Sequence, residues 1–67
     1  MYFSHFKILS SDVEELTKAK DNLEISYSRY MEFNHGASFS LVITPYKETI
    51  NEWELDIKFM DMEEQVN

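Results

Sequence analysis

Two histidines, a run of alternating carboxylates and a handful of tyrosines are the side chains with which this 67-residue sequence could do chemistry. General acid–base catalysis needs groups that converge and have tuned proton affinities. His5 and His35 stand far apart in sequence. His35 falls in Asn34-His35-Gly36-Ala37, which reads as a hairpin turn, with Gly36 free to take positive φ. His5 falls in an aromatic stretch and reads as a packed or surface imidazole. Glu52, Glu54 and Asp56 alternate, so on a strand they share one face at about 7 Å spacing. Three carboxylates in a row along a strand do not wrap one cation, and no glycine-containing Asp-x-Asp loop accompanies them. One glycine rules out a nucleophile elbow, a P-loop or a dinucleotide fingerprint. The absence of cysteine removes thiolates, disulfides and cysteine-bound zinc. The expectation is a non-enzyme with no catalytic residue, no metal and no cofactor.

What must position these side chains is small. A chain of this length buries only about 60% of the surface its unfolded form exposes, so a deep substrate cleft has little material to be built from. With 43% hydrophobic and 15% aromatic residues it is nevertheless too apolar for a disordered acidic tail. A single domain over residues 1–67 is expected, with a short polar tail at 63–67. No apolar run reaches the roughly 20 residues that span a bilayer. The start, MYFSHFKILSSD, lacks a basic segment and a small-residue cleavage site. Without cysteine a reducing setting is the simpler one, and the expected location is the cytoplasm.

Charge is unevenly spread. Residues 1–47 carry six acids against five bases, whereas residues 48–67 carry seven acids against Lys58 alone, so most of the net charge of −7 falls on the last third. Such a field repels nucleic acid and membrane phosphates and attracts basic surfaces. Direct binding of nucleic acid or membrane is not expected.

Tyr2 to Leu9 is aromatic and branched and reads as a strand, with Tyr2, Phe6 and Ile8 on one face and Phe3 and Leu9 on the other. Apolar residues on both faces fit a central or well-covered strand. Ser11-Asp12-Val13-Glu14 matches a capping box with Ser11 as the cap, so a helix starts there. Its end is ambiguous. One reading carries it to about Asn34 with a seam of Val13, Leu16, Leu23, Tyr27 and Tyr30, which would favour a helical dimer; the other ends it near Asn22. Ile25 to Phe33 is rich in serine and aromatics and alternates like a strand, and the strand is the reading preferred. Phe39 to Thr44 and Trp53 to Phe59 are further strands, the second alternating apolar Trp53, Leu55, Ile57 and Phe59 with charged Glu54, Asp56 and Lys58. The expected fold is α+β: a small antiparallel sheet of three to four strands with one helix on one face, in the order β-α-β-β-β. Its inward residues would be Tyr27, Met31, Phe33, Phe39, Leu41, Ile43, Trp53, Leu55, Ile57 and Phe59 against Val13, Leu16 and Leu23. The other face would carry Glu24, Glu32, Glu52, Glu54 and Asp56 among serines, with Tyr30 and Val42.

A row of carboxylates on a stiff sheet can imitate phosphates. The leading expectation is therefore a small acidic protein that occludes a basic, nucleic-acid-binding site on a partner protein such as a nucleic-acid-processing enzyme. Small phage-encoded inhibitors of the anti-CRISPR, anti-restriction and glycosylase-inhibitor kinds share its size, acidity and lack of chemistry, but no motif. The partner-binding candidates are Glu24, Tyr30, Glu32, Tyr46, Glu52, Glu54 and Asp56. The alternative is a self-associating accessory or regulatory subunit. Its acidic face would serve only solubility, and an exposed edge strand, Tyr2 to Leu9 or Trp53 to Phe59, would pair with a copy of itself as a homodimer.

Overall fold

The computed structural model describes residues 1–47 and 51–62. Along them run β1 (Tyr2–Ser10), α1 (Val13–Phe33), β2 (Ala37–Pro45) and β3 (Trp53–Asp61), an α+β arrangement with a three-stranded antiparallel sheet and the helix packed on it. The sheet order is β1-β3-β2. Both outer strands run antiparallel to β3 and therefore parallel to each other, so α1 carries the chain across the sheet and over its middle strand. That crossing explains the core: Leu16 of α1 and Leu55 and Ile57 of β3 are essentially inaccessible to solvent. Ala19, Leu23, Tyr27, Leu41, Ile43 and Trp53 pack around them.

The segment read from sequence as a second strand, Ile25 to Phe33, is the second half of α1, so the element order is β-α-β-β. Helix propensity there is weak, but at helical spacing Leu16, Leu23, Tyr27 and Tyr30 fall on one stripe, and tertiary packing decides. The Tyr27 ring sits between Phe39 and Phe59, with centroids 5.4 and 5.0 Å away. The Tyr30 ring meets Phe59 edge-on at 5.5 Å. The seam that would have favoured a helical dimer is thus spent on the chain's own sheet. Phe33, expected inside, is 82% exposed, and Val13 at the first turn is also exposed.

The helix starts one residue later than the Ser11 capping box predicts. Asp12 is the N-cap; its Oδ1 accepts from the Glu14 N–H at 3.0 Å and the Glu15 N–H at 3.4 Å, while the Asp12 N–H donates to Ser10 Oγ. At the other end Asn34 Nδ2 donates to the Tyr30 carbonyl, and the Ala37 N–H closes a turn on the Asn34 carbonyl. That turn joins helix to strand rather than strand to strand, and Gly36 does not use positive φ. The one non-glycine residue described with positive φ is Asn51, at 71°, in the β2–β3 hairpin, where the Tyr46 N–H donates to the Glu52 carbonyl. Residues 63–67, read as a polar tail, lie outside the described residues.

β1 is an edge strand, not a central or covered one, and Trp53 to Phe59 belongs to the central strand and offers no edge. No helix of the described chain is long and apolar enough to cross a membrane.

Candidate functional site

Strand alternation sorts the side chains of the sheet into two faces. Against α1 lie Tyr2, Ser4, Phe6 and Ile8 of β1, Leu55, Ile57, Phe59 and Asp61 of β3, and Ala37, Phe39, Leu41 and Ile43 of β2, as the register Phe6↔Ile57↔Leu41 fixes. The opposite, open face carries Phe3, His5, Lys7 and Leu9 of β1, then Glu54, Asp56, Lys58 and Met60, then Ser38, Ser40, Val42 and Thr44. No described element covers it.

On that open face the expected row of bare carboxylates is absent. Lys7 Nζ lies 3.7 Å from Glu54 Oε1, and His5 Nε2 lies 2.5 Å from Asp56 Oδ1. Lys58 follows Glu54 and Asp56 on the same face of β3, so with Lys7 the two acids meet two lysines and the face is close to neutral. The sequence separation of these partners hides the pairing: His5 and Lys7 look remote from Asp56 and Glu54 until β1 is laid beside β3.

The other candidates are dispersed over three places. Glu24 and Glu32 are exposed on α1, on the side away from the sheet, and with Asp21, Ile25, Ser28 and Arg29 they line a shallow concavity. Neither these two acids nor Asp21 is in an ion pair. Tyr30 is on α1 but turned toward the sheet, where its hydroxyl donates to Asp61 Oδ2 at 2.5 Å. Its polar end therefore ties the end of the helix to the end of β3 instead of facing outward with the acids. Tyr46 and Glu52 close the β2–β3 hairpin, and Tyr46, Thr44, Pro45, Lys47 and Glu54 line a second shallow concavity there. Of the seven predicted contact residues, the structure brings together Glu24 with Glu32 on α1, and Tyr46 with Glu52 and Glu54 at the hairpin, with Asp56 next to Glu54 on the open face.

Among the described residues no group of three or more histidines and acids is clustered to hold a metal ion. His35 is exposed in the turn before β2, far in the chain from His5 on β1.

Sequence reasoning missed Asp61 altogether. It is buried at 8% exposure on the helix side of β3, and its signal, an acid at an inward position of an alternating strand, is present in Trp53 to Asp61. The reading of Tyr2 to Leu9 as a central or well-covered strand also fails, and the alternative of an exposed edge fits: Tyr2 is 60% exposed, Phe3 57%, Phe6 48% and Leu9 47%. Comparison with protein-family models, with curated proteins and with solved structures finds no match to this chain.

Proposed function

We propose that this chain is a non-enzymatic binding protein that lays the acidic outer side of α1 on a basic surface of a partner protein, of the kind that otherwise holds nucleic acid. The observation that supports this is how the acids are used. Glu54 lies beside Lys7 and Asp56 is hydrogen-bonded to His5, whereas Asp21, Glu24 and Glu32 are exposed and outside any ion pair. At 1.5 Å rise per residue these three span about 16 Å of a stiff helix, a length over which several phosphates of a nucleic-acid strand would lie. A net charge of −7 adds long-range steering toward a basic groove.

The test is capture from lysate by the tagged protein, washed at low and at high salt, with the eluted proteins identified by mass spectrometry. Recovery of a nucleic-acid-processing protein is expected. It should be lost at high salt and lost in Asp21→Lys, Glu24→Lys, Glu32→Lys, and retained in the open-face pair Glu54→Gln, Asp56→Asn. Capture indifferent to the helix substitutions would overturn the reading. The second reading, a self-associating accessory subunit, is supported by the exposed, unpaired edge of β1.

A further inference from the structure

We infer that β1 is the contact of a two-fold homodimer, pairing antiparallel with β1 of a second copy about Phe6. The resulting six-stranded sheet runs β2-β3-β1-β1-β3-β2. This inference gives geometry to the self-association reading and does not depend on the acidic helix finding a partner.

Four features of the chain carry it. First, the outer edge of β1 is a row of backbone N–H and C=O groups with no neighbouring strand among the described residues, nine residues long, with no proline, no glycine and no bulge in its register to β3. Native edges are normally blunted by such devices or by an outward lysine. The one lysine here, Lys7, leans inward to Glu54 of the neighbouring β3. The other edge, β2, ends in Pro45 and shows serines and a threonine on the open face.

Second, β1 is apolar and exposed on both faces: Tyr2, Phe6 and Ile8 on the helix side, Phe3 and Leu9 on the open side. α1 packs mostly on β2 and β3 and covers this flank only in part. A strand that is apolar on both faces is the pattern of a strand inside a sheet, which is what the sequence alone had indicated. A second copy turns the edge into the interior.

Third, the segment is self-complementary under antiparallel pairing. With Phe6 opposite itself, Phe3 of each copy faces Leu9 of the other on the open side, and Tyr2 faces Ser10 and Ser4 faces Ile8 on the helix side. His5 faces Lys7, but each of these is already paired with Asp56 or Glu54 of its own chain, so the basic groups at the centre are flanked by carboxylates on both sides.

Fourth, β1 is the one element with basic side chains and no acid. Two molecules of net charge −7 approach each other at least cost there, whereas contact through the acidic helix would bring like charges together. A two-fold axis normal to the sheet places both helices on the same side. The Phe6 and Ile8 side chains of both copies then floor the trough between them.

The chain has no cysteine of its own, which makes the register directly readable. Residues opposite each other in an antiparallel pair have Cβ atoms about 4.5–5.5 Å apart, close enough to be joined by a disulfide with little movement. Phe6→Cys should cross-link to itself on mild oxidation. Phe3→Cys and Leu9→Cys, oxidised as a mixture, should give the mixed disulfide in excess over either homodimer. Sedimentation of the unmodified chain should show a concentration-dependent dimer. Phe6→Asp, with its fold checked by circular dichroism, should weaken that dimer roughly a hundredfold, because two rings leave the contact and two carboxylates replace them face to face. A chain that stays monomeric at all concentrations overturns self-association and this geometry together. A dimer that forms while Ser40→Cys on β2 cross-links as well as Phe6→Cys does overturns the β1 register alone.

Discussion

Ser11 and Asp12 stand side by side before α1, and both are good caps with an acid three residues on, Glu14 for one and Glu15 for the other. Geometry separates them: the Asp12 carboxylate holds the Glu14 and Glu15 amides, and Ser10, not Ser11, supplies the supporting hydroxyl, its Oγ accepting from the Asp12 N–H and donating to Glu15 Oε2. Asp12→Ala should therefore cost about 1 kcal/mol in urea unfolding, while Ser11→Ala leaves the midpoint nearly unchanged. The reverse order would return the cap to Ser11. A one-residue shift of this kind is invisible in sequence because the two frames have the same chemistry. Tyr30 shows the same limit from the other direction. A tyrosine among acids looks like a contact residue, and only the approach of α1 to the end of β3 brings Asp61 to its hydroxyl. The bond satisfies a buried carboxylate, which would otherwise carry a desolvation cost.

The strands were legible at the scale of the element because β2 and β3 alternate about one inward face and β1 is rich in aromatic and branched residues. Phe39 to Thr44 and Trp53 to Phe59 fall inside the observed β2 and β3, and Tyr2 to Leu9 inside β1. The helix was half legible: its first turns carry a cap, acids and then lysines, but Ile25 to Phe33 alternates apolar and polar residues with serines at 26 and 28. Apolar residues four apart satisfy both periods, so Tyr27 and Met31 fit a strand and a helix alike. What decides is long-range: β3 already has a neighbour on each side, and Tyr27 has Phe39 and Phe59 to pack against when the segment is helical. Ser26 and Ser28 are exposed on α1. Replacing both by alanine should raise the helical circular dichroism signal and stabilise the fold by about 0.5 kcal/mol per site. A strand at these positions would lose stability on the same change, since alanine is a poor strand residue.

For the whole molecule, charge is the property most legible in the sequence and least simply placed by it. Glu24, Glu32, Glu52, Glu54 and Asp56 were expected to share one negative sheet face, but strand pairing sets Lys7 and His5 of the first strand beside Glu54 and Asp56 of the last, and Glu24 and Glu32 lie on the helix outside any ion pair. This separates the two proposed contacts by their response to salt. Capture of a basic partner is driven by attraction between opposite fields and weakens as ions screen it, with a screening length of about 10 Å at 0.1 M and about 3 Å at 1 M. Pairing of β1 with β1 joins two molecules of net charge −7 through apolar side chains and backbone hydrogen bonds. Screening removes repulsion between the two copies and leaves those short-range terms in place. Raising sodium chloride from 0.1 to 1 M should therefore tighten the dimer in sedimentation, and the melting temperature should rise with both salt and protein concentration, because only the paired, folded form gains. A dimer that loosens with added salt would mean that opposite charges hold the two copies together, and the contact would then have to include the acidic helix of one molecule and the basic groups of the other.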